Sequence, residues 1–288
     1  ADIMDLLLKT QTYEVVNISK CYNLTIDDNA VFNDSLTIQQ SSIQHIGDNI
    51  TVSSFYLRGI ENDFTIGENL ISDNIIDASY SNLKEIGSGL QASYLNIIET
   101  PIKRLENISI DKILIATDCM NLTEVSGLTI KETAKMNFSG CHSLVSIPDN
   151  ISLCALSVED CFSLEKIPDN LSIEALLADN CLSLSETGHN LNAVNARFEN
   201  CHEITKISSN SYIQNTLSMK DCSSLQSIGE NVKTKVLNLT NCMALKSLPN
   251  DLEAEIIILP DGQESSLEDA HSWFKEKYPK IKAKILDI

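Results

Sequence analysis

The chain repeats itself at an interval too short for an ordinary domain. Seven cysteines, Cys119, Cys141, Cys161, Cys181, Cys201, Cys222 and Cys242, follow one another at spacings of 22, 20, 20, 20, 21 and 20 residues. An apolar residue stands five before each cysteine and another three before it. Leu or Ile usually follows at three after, and an apolar residue at six after. The Cys161 copy supplies Leu156, Val158, Leu164 and Ile167. The last of these positions continues upstream without the cysteine, as Ile26, Ile46, Ile66, Ile86 and Leu105. It then runs on through Val125, Ile147, Ile167, Thr187, Ile207, Ile228 and Leu248, making twelve copies 19 to 22 residues apart. A fixed period of this length marks a solenoid, in which one unit buries its apolar side only by stacking on the next.

The two apolar residues before each cysteine are separated by one residue, so they point to the same side of a short strand. Stacked about 4.8 Å apart, such strands form a parallel sheet over one continuous core. About 20 residues per unit leave little room for a helix on the way back. The expected fold is therefore a repeat solenoid: a curved parallel β-sheet of about twelve short strands, with extended or turn-like segments on the convex side. Pro148, Pro168 and Pro249 fix φ as that return path begins. The cysteine marks the corner where the strand ends. A small apolar thiol suits an inward-facing corner, and Ser41 and Thr100 hold the same place in the early copies. Cys21 and Cys154 read as out of phase.

Written out, the early copies follow L-x-I-x-x-S-x-I-x-x-I and the later ones L-x-V-x-x-C-x-x-L-x-x-I-P. Over roughly residues 20 to 260 these resemble leucine-rich repeats. Ile147-Pro148-Asp-Asn-Ile151, Ile167-Pro168-Asp-Asn-Leu171 and Leu248-Pro249-Asn-Asp-Leu252 look like the L-P-x-x-L of type III secreted effectors of bacterial pathogens. That resemblance implies a virulence effector acting in a host cytoplasm. The chain departs from the pattern in its cysteines and in lacking an N-terminal helical hairpin. It also has no region for the ubiquitin-ligase domain that some such effectors carry. The stretch Cys222 to Val232 also looks like the cysteine-rich repeats of plant immune receptors and F-box proteins, whose units run longer.

The formal net charge of −19 opposes nucleic acid, whose phosphates need Lys and Arg, and opposes an anionic membrane. No apolar run approaches a membrane span, and no secretory signal peptide is visible. Ala1 in place of an initiator suggests a removed leader or a fragment. Nine cysteines in a chain this large read as reduced, buried thiols, since parallel side-chain directions disfavour disulfides. The neighbours Cys141-His142 and Cys201-His202 diverge at a turn, which argues against a metal site. Ten Asn-x-Ser/Thr triplets read as products of the repeat rather than glycan acceptors. No catalytic constellation and no cofactor motif is found: the five histidines are scattered around the repeat. The chain is therefore expected to be non-enzymatic and monomeric, with a protein as partner.

Positions that recur hold the scaffold, and positions that vary are free for recognition. Asp or Asn recurs just before the cysteine, as turn chemistry requires. The residues two and four before it vary and should project from the concave sheet. They supply the candidate binding residues Arg58, Asp77, Asn96, Asn137, Glu159, Asp179, Arg197, Glu199, Lys220 and Asn238. Glu159, Asp179 and Glu199 would form a column of like charge, which suits a basic partner. The alternative is a solvated face of an acidic protein. Ile60, Ile98 and Ile115 are candidates for an apolar contact area.

Residues 21–262 form the expected solenoid, between an N-terminal cap or tether (1–20) and a C-terminal cap (263–288). The stretch from Ile3 to Gln11 reads as a short apolar helix or tether. At the other end a helix is expected from Ser265 or Ser266 to Tyr278, carrying Trp273 in the cap, followed by an edge strand with Ile281, Ala283 and Ile285 inward and Lys280, Lys282 and Lys284 outward. A non-enzymatic interaction module, the substrate-recognition part of a ligase, and a periplasmic or structural repeat protein are the functions this architecture admits.

Overall fold

A computed structural model describes residues 5–259 and 275–287. The chain winds as a parallel β-solenoid of about 13 turns and divides into two compact units, residues 1–142 and 143–288. In the first unit the long strands Val31–Gln39, Thr51–Arg58, Ile71–Asp77, Gln91–Asn96 and Ser109–Ile115 pair in parallel, each with the next. Lys135–Asn137 follows on Ser109–Ile115. In the second unit the order is Ser152–Ser157, Ser172–Leu177, Asn192–Arg197, Tyr212–Ser218, Lys233–Asn238, Glu253–Leu259 and Lys284–Asp287.

The register explains the period. Leu36, Phe55, Ile76, Leu95, Leu114 and Met136 are successive partners across the first unit. Leu156, Leu176, Ala196, Leu217, Leu237, Ile257 and Ile285 are successive partners in the second. All of them are buried. One unit of sequence is one turn of the solenoid, and each apolar position becomes a column. On the opposite side run shorter parallel pairs, such as Phe64–Ile66 with Leu83–Ile86 and Lys206–Ile207 with Ser227–Ile228. They bury the apolar residue six after the corner, so the return path is partly strand.

The long strands extend further back than the L-x-L pattern. Most of them contain a register irregularity, as between Val52 and Ser54 or Ala193 and Asn195. Two adjacent residues there face outward, which breaks the two-residue alternation and hides the first half of the strand from a sequence reading. Ala193, Val194, Asn195 and Ala196 run buried, half-buried, exposed and buried for this reason.

Two turns per repeat close the coil, each around a residue with φ in the left-handed region. One turn precedes the corner: Asp160, Asn180, Asn200, Asp221 and Asn241 have φ between 58° and 60°. The other precedes the long strand: Asn150, Asn170, Asn190, Asn210 and Asn231 have φ between 54° and 59°, and Gly89 (φ 82°) and Gly127 (φ 59°) hold the equivalent place in the first unit. Asn and Asp tolerate this region better than other residues with a Cβ, so the recurring Asp or Asn is turn chemistry, as expected. The amides also form ladders. Asn190 Nδ2 donates to Asn170 Oδ1 at 2.7 Å, and Asn170 Nδ2 donates to Asn150 Oδ1 at 2.8 Å. Asn49 and Asn69 repeat the arrangement. Asn49 and Asn170 open Asn-x-Ser/Thr triplets, and the nitrogen that would carry a glycan is already engaged.

The corner cysteines are buried and free of disulfides. Their thiols donate to a carbonyl of the preceding turn: Cys181 to Val158, Cys201 to Ala178, Cys222 to Phe198 and Cys242 to Met219, at 2.9 to 3.1 Å. Thr100 Oγ1 donates to the Ile97 carbonyl at 2.9 Å from the same corner. Cys21, read above as out of phase, is in phase. Ile18 pairs with Ile38, and the Cys21 amide donates to Ser41 Oγ, which places Cys21 at the corner one turn before Ser41.

The ends differ from expectation. Asp5–Leu8 is a strand, paired in parallel with Asn23–Ile26, and not a helix. A run of three leucines, Leu6 to Leu8, is too short to choose its own conformation, and a parallel neighbour settles it. At the other end residues 275–277 are helical and Tyr278, the expected last residue of the helix, is not, while the earlier part of the expected helix, with Trp273, lies outside the described residues. Lys284–Asp287 pairs with Glu253–Leu259 as an added strand, with Ile281 and Ile285 buried and Lys280, Lys282 and Lys284 exposed.

Candidate protein-binding surface

The positions four and two before each corner alternate with the buried columns and face outward. In the first unit Tyr56, Asp77, Asn96, Ile115 and Asn137 are successive partners in one row. Arg58 stands two residues beyond Tyr56, its guanidinium carbon 5.1 Å from the ring centre in a cation–π contact. Three of these candidates serve the fold. Asp77 Oδ1 accepts from Ser79 Oγ at 2.7 Å and from the Ser79 amide. Asn96 Oδ1 accepts from the Ile98 amide, and Asn137 Oδ1 accepts from the Ser139 amide. Each bond closes a local turn as the strand ends. Ile60 is fully buried at a corner, so it belongs to the core and not to an apolar contact area. Ile98 and Ile115 are half-buried.

In the second unit Ser157, Leu177, Arg197, Ser218, Asn238 and Ile258 form the equivalent row. Asn238 Oδ1 closes a turn with Thr240, accepting from both its amide and its hydroxyl. Beside this row lie Glu159, Asp179, Glu199 and Lys220. The column of like charge is present, but it is not bare. Arg197 reaches across it: Nη2 is 2.6 Å from Glu159 Oε1, and Nε is 2.5 Å from Asp179 Oδ2. The second contact lies off the N–H direction, leaving Nε without a hydrogen-bond acceptor, so it acts as an ion pair only. Asp179 Oδ1 accepts from the Glu199 amide at 2.9 Å, and Ser218 Oγ donates to Glu199 Oε1 at 2.8 Å. Lys220 leans toward its neighbour Asp221, 4.0 Å away.

The Asp179 carboxyl titrates above its ordinary range because burial disfavours the charge, against the pull of the Glu199 amide and Arg197. Burial also works against the Arg197 charge, but Asp179 and Glu159 outweigh it and raise its proton affinity. Three carboxylates and two cations leave a patch with a net charge near −1. The column of like charge thus stands within an ordered polar network.

Among the described residues no three His, Cys, Asp or Glu side chains converge as metal ligands. Sequence reasoning missed the outward row six before the corner, Ala155, Ala175, Asn195, Thr216, Val236 and Ile256, because the strand irregularity displaces it from simple alternation. It also missed a lysine-lined groove in the second unit, for which the paired signals Lys233-Thr-Lys235 and Lys280-Ile-Lys282 were available. No protein-family model matches the chain, and no curated protein matches it significantly.

Proposed function

We propose that this chain is a non-enzymatic interaction module that takes a protein partner on the outward face of its long strands. One observation carries the reading. Inward and turn positions repeat from turn to turn, whereas the outward row of the second unit changes at every step: Ser157, Leu177, Arg197, Ser218, Asn238, Ile258. A row freed from the repeat, half-buried except for the buried Ser218 and centred on an ordered arginine, has the composition of an interface centre. The Ile-Pro-Asp-Asn pattern supplies the proposed setting, a bacterial virulence effector working in a host cytoplasm.

A photoreactive residue introduced at Leu177 or Asn238 tests the reading against one at Glu165 or Lys246 on the return side. Cross-linking in lysate should give one discrete product from the long-strand positions and none from the others. Equal labelling from both sides would remove the outward face as the binding site.

A further inference from the structure

A groove of about 390 Å³ crosses the beginnings of three strands in the second unit and the segment that follows the described helical residues. That volume lies within the range of ligand clefts, about 300–1,000 Å³. Tyr212, Lys233 and Glu253 are successive partners across it, and Lys235, Glu255, Lys280 and Lys282 complete its charged lining. Lysines therefore outnumber carboxylates four to two, in a chain whose formal charge is −19. Glu253 takes Lys233 at 2.8 Å. Lys235, Lys280 and Lys282 are exposed and have no ion pair among the described residues.

We propose that this groove binds a short acidic segment of a protein partner in extended conformation. Across the sheet the charges run in a Lys233/Lys235 pair, a Glu253/Glu255 pair and a Lys280/Lys282 pair. The Lys233/Lys235 and Glu253/Glu255 pairs lie in strands, where an i, i+2 spacing is about 6.6–6.8 Å, while Lys280 stands in a turn and Lys282 in the segment before the last strand. An extended peptide with acidic residues at alternate positions repeats that strand spacing and supplies anions to three lysines that have no ion pair among the described residues. Tyr212, 52% exposed, offers the peptide an aromatic flank.

Two features favour a short peptide over a nucleic acid. Lysine meets an anion as a point charge, without the planar fork that selects phosphate. Beyond a Debye length of about 8–10 Å, a long polyanion would leave the lysines and meet an acidic protein. A short acidic run within a neutral or basic partner avoids that repulsion. None of the groove residues belongs to the Arg197 network, so this inference and the reading above stand or fall separately.

The test is fluorescence anisotropy with the full chain and a labelled peptide of about eight residues alternating Glu and Ser. Binding should weaken with added salt and disappear when Gln replaces Glu in the peptide. Lys235→Gln and Lys282→Gln should each weaken it about fivefold and together about 25-fold, equivalent to about 1 kcal/mol per exposed ion pair. Both lysines are exposed, so thermal melting of the variants should match the parent. Equal binding of the Gln peptide, no loss in the double variant, or tighter binding of a single-stranded oligonucleotide through the same lysines would each overturn the proposal.

Discussion

Replacing Asn170 tests what holds the coil closed. Its backbone is left-handed at φ 55°, and its amide both donates to Asn150 and accepts from Asn190. Alanine removes two hydrogen bonds, each about 0.5 kcal/mol at a solvent-exposed site, the low end of the usual range. It also keeps a Cβ in the left-handed region without the short polar side chain that offsets the cost there, about 1–2 kcal/mol for an ordinary residue. The expected loss is about 2–3 kcal/mol, or about 4–12 °C in melting temperature for a folding unit of this size. Glycine loses the same two bonds and adds chain entropy to the unfolded state, about 0.5–1 kcal/mol, but carries no penalty for φ. Asn170→Gly should therefore be the milder change, by about 1 kcal/mol, in keeping with the native Gly89 and Gly127 at the same place in the first unit. Urea titration of both variants, followed by far-UV circular dichroism, supplies the comparison. If Ala is no worse than Gly, left-handed geometry is not what selects asparagine in this column. If both stay within about 0.5 kcal/mol of the parent, the ladder contributes nothing either.

Three other perturbations reach different parts of the molecule. A thiol reagent such as DTNB should label one cysteine rapidly in the native protein, the half-buried Cys154, and all nine only in denaturant. Burial shields the others and pushes the Cys242 thiol up to about 12, so rapid native labelling at several sites would contradict the packed corner. Lys166 bridges Asp149 and Asp169, with its proton affinity raised chiefly by the Asp149 hydrogen bond, while the Asp169 carboxyl is held below its ordinary value chiefly by the His189 amide. Stability from Asp169 should thus be full above pH 4 and fall as pH drops through its lowered folded value. Lys166 keeps its share until pH rises past the ordinary lysine range. Lys166→Met should cost only about 0.5 kcal/mol at neutral pH, and less in high salt, because the pair is partly exposed. Arg197→Met leaves Glu159 and Asp179 without their cation and should cost about 1–2 kcal/mol, below the 3–5 of a fully buried pair. Adding Glu159→Gln should restore part of it in urea melts, and an unchanged single variant would show that the network is ornamental to the fold.

The interior was readable because each buried position is written about twelve times. Leu156, Leu176, Leu217 and Leu237 declare one column by recurrence alone, and the corner cysteines declare a second. Reading failed where the geometry departs from simple alternation. The strand irregularity turns two neighbours outward at Val194 and Asn195, and its counterparts leave the first half of most long strands without a clean period. Cys21 was misassigned because the early copies are one residue shorter in the loop, and only the pairing of Ile18 with Ile38 restores its phase.

The surface resists the same method for a physical reason. Recurrence identifies residues that serve the coil, so the residues left for recognition are those about which recurrence says least. Row membership can be assigned, and recurrence alone puts Glu159, Asp179 and Glu199 in one column. That Arg197 reaches Glu159, 38 residues and two strands away, depends on side-chain length and direction, which no spacing rule contains. The roles of Asp77, Asn96, Asn137 and Asn238 show the converse. They looked free because their identities vary, yet a carboxylate or an amide can equally accept the bond from the residue two ahead. The lysine groove combines both difficulties. Lys233-Thr-Lys235 opens a strand and Lys280-Ile-Lys282 precedes one, and both are ordinary until register places Glu253 beside Lys233 and the chain brings Lys280 and Lys282 to the same groove. Register turns two unremarkable runs into a charged surface, and charge is the property from which a ligand class can be argued.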